Sequence, residues 1–239
     1  MIASRRSPLH SELQKLAPRW LNVQGMAVPA HLVQESQSRP ILLSDLSFLA
    51  RVGVKGPQTV QWLAGQGIAV PEQINSWLTL PQDGLIARLG TTEFLIEDGP
   101  HGQVTAALKP VLRSGIAGVY PVLRQDAAIV LTGSEANSLL LETCSVNFMS
   151  YPPLERRAIM TSMVGVSVTI VRWMRNGLPL YRIWCDGSFG PYLWEALLEV
   201  ARDLLAAIFA IAADAEAHAD HLRLSGREHA EHFRGALAD

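Results

Sequence analysis

Only two cysteines, Cys144 and Cys185, occur among the 239 residues. Two are too few for a disulfide framework, and these two lack metal-ligand spacing. They read as small buried hydrophobes in a reducing compartment, so a cytoplasmic localisation is expected, although spacing alone leaves a single bridge open. Charge is also sparse, at 18% of residues with a formal net of −2. A chain so balanced offers no long-range field for a phosphate backbone, and no nucleic-acid partner is expected. Long apolar runs are missing too. The most apolar stretch, "LLAAIFAIAA" (204–213), stops at Asp214, well short of the roughly twenty residues that span a bilayer. No membrane partner is expected, and the basic opening "MIASRRSPLHSELQKL" has no apolar stretch behind it to form a signal. The glycine clusters "GQG" and "GSFG" lack dinucleotide-loop spacing, and no Walker-type lysine accompanies them. Ser134 in "LTGSEAN" has no His or Asp partner readable from spacing, so no nucleophile elbow is assigned.

What the chain does have is apolar residue, 49% of it, enough for a substantial core. Residues 1–40 are punctuated by Pro8, Pro18, Pro29 and Pro40 and read as an arm packed on a body. From Ile41 the pattern sharpens. "RVGVKG" alternates, with Val52 and Val54 on one face of a half-buried strand, and Gly56-Pro57 breaks it. "QTVQWLAGQG" then groups Val60, Trp62 and Leu63 at helical spacing, with Pro57 suited to the first turn. "GLIARLGTTEFLIE" reads as a hairpin.

The same order returns in "AIVLTG", which ends at Gly133, and in "SEANSLLLETC", a helix with Ser134 as its expected cap. "VGVSVTIVRWM" and "LYRIWC" follow as β-branched and aromatic strands around the turn "RNGLP". An amphipathic helix then carries Leu193, Trp194, Leu197, Leu198, Ala201 and Leu205 on one face. The expected fold is α+β, with two pseudo-repeated sheet-plus-helix halves, 41–120 and 121–203, closing on each other. Residues 204–239 are expected to be an apolar helix extension followed by a polar, histidine-containing tail.

Three stretches carry a family resemblance over roughly residues 42–203. "SDLSFLARVGVKGP" and "ARLGTTEFLIE" resemble the opening strand and the hairpin of the glycine cleavage T-protein, an aminomethyltransferase with a folate-binding fold. The second half, through "YRIWCDGSFGPYLWEALLE", is similar to the gamma subunit of heterotetrameric sarcosine oxidase. The resemblance implies a folate-binding fold in one-carbon (N-methylglycine) metabolism, with tetrahydrofolate as the cofactor and no flavin or metal on this chain. It also implies an accessory subunit of a larger flavoprotein oxidase, not catalytic alone. The alternative is a free-standing tetrahydrofolate-dependent aminomethyl or methyl transferase of the T-protein type. One departure favours the accessory role. The family's pterin-holding carboxylate falls near Leu178, and leucine cannot accept the pterin's N–H groups.

Four residues are candidate folate contacts: Trp77, Arg88, Glu97 and Asp98. Trp77 could stack on a flat heterocycle, against the ordinary expectation of core packing. Arg88 could line a groove or pair across the hairpin with Glu93. Glu97 and Asp98, near His101, could form an acid–base cluster, although "EDGP" is also ordinary turn chemistry. His218, His221, His229 and His232 have spacing that could hold a metal, but their Ala- and Glu-rich context suits a solvated tail better. The run Leu204–Ala213 is apolar on every side and calls for cover, from a partner subunit or from a second copy.

Overall fold

A computed structural model describes residues 5–16, 18–29, 40–152, 155–175, 177–204 and 210–211. The chain opens with β1 (Arg5–Arg6), α1 (His10–Gln14), β2 (Trp20–Val23) and β3 (Met26–Pro29). It continues through β4 (Leu42–Asp45), β5 (Arg51–Lys55), α2 (Thr59–Gly65), β6 (Ser76–Leu80), β7 (Gly84–Arg88), β8 (Glu93–Glu97) and α3 (Val104–Arg113). The second part runs β9 (Tyr120–Val122), β10 (Ala127–Thr132), α4 (Ala136–Thr143), β11 (Ala158–Met163), β12 (Val166–Arg175), β13 (Leu178–Cys185) and α5 (Gly190–Asp203). A two-residue strand, β14 (Ala210–Ile211), follows.

Two large sheets dominate this mixed α/β architecture. One has the order β6-β7-β8-β5-β9 and the other β11-β12-β13-β10-β4-β14, while the arm forms a small sheet of order β1-β3-β2. Side-chain alternation along a strand sorts residues between two faces. Val52, Val54, Ile86, Phe94 and Ile96 face the helix side of the first sheet, where Leu63, Leu108 and Leu112 cover them. Ile129, Leu131, Ile170 and Ile183 face α1, α4 and α5, packing with Leu13, Leu139, Leu193 and Trp194. The opposite faces meet each other: Trp77, Leu85, Ala87 and Leu95 pack with Ala128, Val171 and Trp184. The result is helix, sheet, sheet, helix.

That layering corrects several expectations. β5 is covered on both faces, so Arg51 and Gly53 are buried along with the valines. The two halves do not own separate sheets. β4, from the first half, pairs antiparallel with β10, and β9, which crosses from the first half into the second at residues 120–121, completes the first sheet beside β5. Ser134 does not cap α4; that helix has no side-chain cap, and the Glu135 N–H instead donates to the Pro40 carbonyl at 2.8 Å. The helix expected to run on through Leu204–Ala213 ends at Asp203, and Ala210 and Ile211 pair as a strand with Leu43 and Ser44. The histidine pairs lie outside the described residues.

Two glycines deliver the strand-to-helix turns. Gly56 and Gly133 have φ of +131° and +121°, a region that side chains strongly disfavour. A Cβ on Gly56 would sit 2.3 Å from the Gly118 carbonyl oxygen, and one on Gly133 would sit 2.2 Å from that of Pro40. The same carbonyls accept the N–H groups of Gln58 (3.0 Å) and Glu135 (2.8 Å).

Candidate functional site

A buried charged centre lies where the sheets face each other. Glu97, fully buried on β8, stands opposite Arg51 of β5 in the strand register. Arg51 donates to Glu97 through Nε, and its other nitrogens donate to the Leu46 and Ser47 carbonyls at 2.7 and 3.3 Å. From the second sheet, Arg182 Nη1 reaches Glu97 Oε1 at 2.5 Å, and the Trp184 indole N–H reaches Oε2 at 2.7 Å. Burial alone would push the Glu97 carboxyl up, but Arg51, Arg182 and the Trp184 hydrogen bond outweigh it and hold the carboxyl below its ordinary value. The Arg182 guanidinium also lies over the Trp173 ring, 4.9 Å from its centroid. One carboxylate between two guanidiniums leaves this centre net positive.

Arg51 and Trp184 form one wall of a cleft of about 1220 Å³. Arg5 and Arg6 of the arm, Arg124, Asp126 and the Cys185–Ser188 segment complete much of its rim. Asp126 is a cleft carboxyl altered by this setting. Burial pushes it up, and Arg124 and Arg51 offset that only in part. Arg124 Nη1 stands 3.7 Å from Asp126 Oδ1. Asp126 Oδ2 has no hydrogen-bond partner among the described residues. The Cys185 thiol is pushed up to about 12, by burial first and then by Asp126 and Asp186, which leaves it a poor nucleophile.

The four sequence candidates have other duties here. Glu97 is the hub of the buried centre, and neither a turn residue nor part of an acid–base pair with Asp98. Asp98 is buried and accepts from the Val104 N–H (3.1 Å), the Thr105 N–H (3.0 Å) and the Thr105 hydroxyl (2.5 Å), so it starts α3. Arg88 stands opposite Phe94, not Glu93, and donates to the carbonyls of Pro71, Glu72, Gly90 and Thr91 at 2.7–3.3 Å. Glu93 pairs instead with Arg124 at 3.4 Å. Trp77 is buried between the sheets with Trp173, ring centroids 5.5 Å apart. It also borders a second cleft of about 760 Å³ between the β6 and β11 edges, where Arg156 lies 5.4 Å from its ring. Leu178 is 42% exposed at the β12–β13 hairpin and lines neither cleft, so the residue there does not decide what the main cleft can hold.

Sequence reasoning passed over Arg51, Arg182, Arg124 and Asp126. A signal existed for two of them. Arg51 and Arg182 interrupt otherwise apolar strands at inward-facing positions, and a charge there must find a buried partner. Asp126 had none, because a single acid before a strand is ordinary. Among the described residues no group of three or more His, Cys, Asp or Glu is arranged to hold a metal, and no helix is long and apolar enough to cross a membrane.

No family model and no curated protein matches the chain. Solved structures do. The glycine cleavage system aminomethyltransferase T of Bartonella henselae superposes with a TM-score of 0.63 at 17% identity, over 87% of this chain and 59% of that one. A chain of the heterotetrameric sarcosine oxidase of Corynebacterium sp. U-96, solved with pyrrole 2-carboxylate, superposes with a TM-score of 0.61 at 20% identity, over 86% and 99%. At these identities the likeness is one of fold, and the chain spans about three fifths of the aminomethyltransferase.

Proposed function

From a chain with the T-protein fold, we propose an accessory subunit of the sarcosine oxidase gamma type, serving one-carbon (N-methylglycine) metabolism beside a larger flavoprotein subunit. The observation that carries this reading is the extent of the likeness, which runs along 99% of the sarcosine oxidase chain but 59% of the aminomethyltransferase. The cleft chemistry agrees. Its thiol is held in the inert form, and the most buried acid, Glu97, has both oxygens committed to Arg51, Arg182 and Trp184. The cleft is large enough for a folate, and such sites are typically preformed. Glu97 then acts as a positioning residue that fixes Arg51 and Trp184 in the cleft wall, while Trp77 borders the second cleft. The two sheets are read as pseudo-repeated halves, and the cytoplasm as the working compartment.

The test is copurification joined to titration. The tagged chain, drawn from its native source, is expected to retain a flavin-bearing subunit. Tetrahydrofolate is expected to change tryptophan fluorescence saturably through Trp184. A chain that always runs alone and gives no saturable change overturns the proposal.

One observation favours a second reading, a free-standing folate-dependent transferase. Asp126, with its carboxyl pushed up and one oxygen unpartnered, is the kind of acid that can exchange a proton nearer neutral pH. That reading expects turnover by the isolated chain, lost in Asp126→Asn; turnover unchanged in the variant removes Asp126 from the chemistry.

A further inference from the structure

At one corner of the main cleft, two buried polar atoms of opposite character lack their bonds. Asp126 Oδ2 and Arg124 Nε have no hydrogen-bond partner among the described residues, and both side chains line the cleft. The other Arg124 nitrogens are thinly used. Nη2 reaches Glu93 Oε1 at 3.4 Å, and Nη1 stands 3.7 Å from Asp126 Oδ1, beyond ordinary hydrogen-bond reach. The two charges are neighbours that do not satisfy each other.

The backbone holds them there. Arg124, Gln125 and Asp126 lie in the short segment between β9 and β10, and a glycine on either flank lets that segment in. A Cβ on Gly53 of β5 would sit 3.0 Å from Arg124 Nε and 2.8 Å from Val122 Cβ, and one on Gly187 would sit 2.6 Å from the Gln125 carbonyl oxygen. Glycine inside a strand often marks such a close approach. The other charges at this corner are already employed. Arg51 donates to Glu97 and to the Leu46 and Ser47 carbonyls, and Asp186 accepts from the Ser188 N–H and hydroxyl.

One open acceptor beside one open donor suits a ligand with an ammonium and a carboxylate on the same carbon. The ammonium donates to Asp126 Oδ2, and the carboxylate accepts from the Arg124 fork. A ligand with only one of these charges leaves the other buried atom without a bond, and is penalised for it. We propose that this corner is a subsite for the zwitterionic head of a small α-amino acid, read by Arg124 and Asp126. The zwitterion goes beyond the accessory-subunit reading; only the choice of N-methylglycine as its first candidate rests on that reading. The secondary ammonium of N-methylglycine keeps two N–H donors, so its methyl group leaves the contact with Asp126 intact.

The ionised form of Asp126 is the one that takes an ammonium. Burial raises its carboxyl, Arg124 and Arg51 offset that in part, and Glu97 adds to the rise. Cys185 and Asp186 face the same corner from the end of β13. Affinity is therefore expected to be full above the raised value and to decline as pH falls through it.

The experiment titrates the full chain with N-methylglycine, glycine, N-acetylglycine and methylammonium, by calorimetry and by tryptophan fluorescence, since Trp184 shares the cleft wall. Both zwitterions are expected to saturate, with the two singly charged probes about tenfold weaker or more. Asp126→Asn and Arg124→Gln should each weaken the zwitterions about tenfold, and Asp126→Asn should also remove the pH dependence. Gly53→Ala crowds Arg124 without altering either charge, and should weaken them about threefold. Circular dichroism matching the parent qualifies each variant; where one fails to fold, the probe series on the parent decides. N-acetylglycine binding as tightly as N-methylglycine overturns the zwitterion, and unchanged affinity in both charge variants overturns the assignment to Arg124 and Asp126. Glycine binding with N-methylglycine silent supports the subsite and removes N-methylglycine as its occupant. Saturable tetrahydrofolate binding with both amino acids silent overturns the subsite and leaves the accessory-subunit reading standing.

Discussion

Two pairs of neighbouring strands, β5–β8 in one large sheet and β10–β13 in the other, can be compared by register, and they differ in what they put at the centre. Gly56 corresponds to Gly133, each turning a strand into a helix against a carbonyl from a neighbouring segment. Arg88, opposite Phe94, corresponds to Arg172, opposite Tyr181. Both arginines tie down irregular chain. Arg88 donates to four carbonyls, and Arg172 donates to those of Phe148 and Tyr151. The innermost pair is where they part. The first sheet places Arg51 opposite Glu97, and the second places Ala128 opposite Trp184. The difference shows a division of roles. One sheet supplies the carboxylate, and the other closes over it with an indole N–H and the Arg182 guanidinium. The two positions thus form complementary faces of one buried contact.

The largest expected effect comes from breaking that contact. Glu97→Ala leaves Arg51 and Arg182 buried without their counter-ion, and should cost about 3–5 kcal/mol in urea unfolding. Ala128→Ser, at the position matching Arg51, should cost far less, since it adds only one hydroxyl. Next come the glycines. Gly56→Ala and Gly133→Ala should each cost about 2–4 kcal/mol, because positive φ and a backbone collision act together. Similar losses sharpen the correspondence, and a large inequality breaks it. Gly65→Ala is the control: it lies in α2 with open space around it, and should stabilise by about 0.5–1 kcal/mol. Among the arginines, Arg172→Met should cost about 2–3 kcal/mol. Arg88→Met, more exposed, should cost about 1–2 kcal/mol.

Acid titration gives a subtler comparison. Glu97 is held below its unfolded value, so the stability it contributes is present above that value and is lost as pH falls through its folded one. Asp126 is shifted the other way, so its ionised form disfavours folding above its raised value, and the deficit shrinks as pH falls from that value and is gone below the unfolded one. Asp126→Asn is therefore expected to raise the melting temperature at neutral pH, with the gain shrinking on acidification. A gain independent of pH would mean that the carboxyl's charge is not the cause.

Much of the layering was legible in the sequence. Alternation in "RVGVKG", the apolar run in "EFLIE" and the β-branched run in "VGVSVTIVR" specify strands whatever their partners. Pairing was not legible, because the strand "LLSD" carries no mark saying that it belongs with β10 at residue 127 and beyond. Only three-dimensional register decides that. Glu97 and Asp98 were misread for a related reason. "EDGP" has turn chemistry, and nothing local reports two arginines arriving from 46 residues before and 85 residues after. A groove or a pair with Glu93 are the readings open to Arg88 from its place by the hairpin turn, whereas carbonyls, two of them from the distant loop at Pro71 and Glu72, take its donors.

The exchange of β4 and β9 between the sheets has a practical corollary. Cutting the chain between α3 and β9 would give fragments each carrying a strand that belongs to the other's sheet. Neither should fold alone, yet the two mixed should reassemble, because the missing strand of each is the spare strand of its mate. Unfolding should accordingly be a single cooperative event, with amide protons of β5 and β10 exchanging at one common rate.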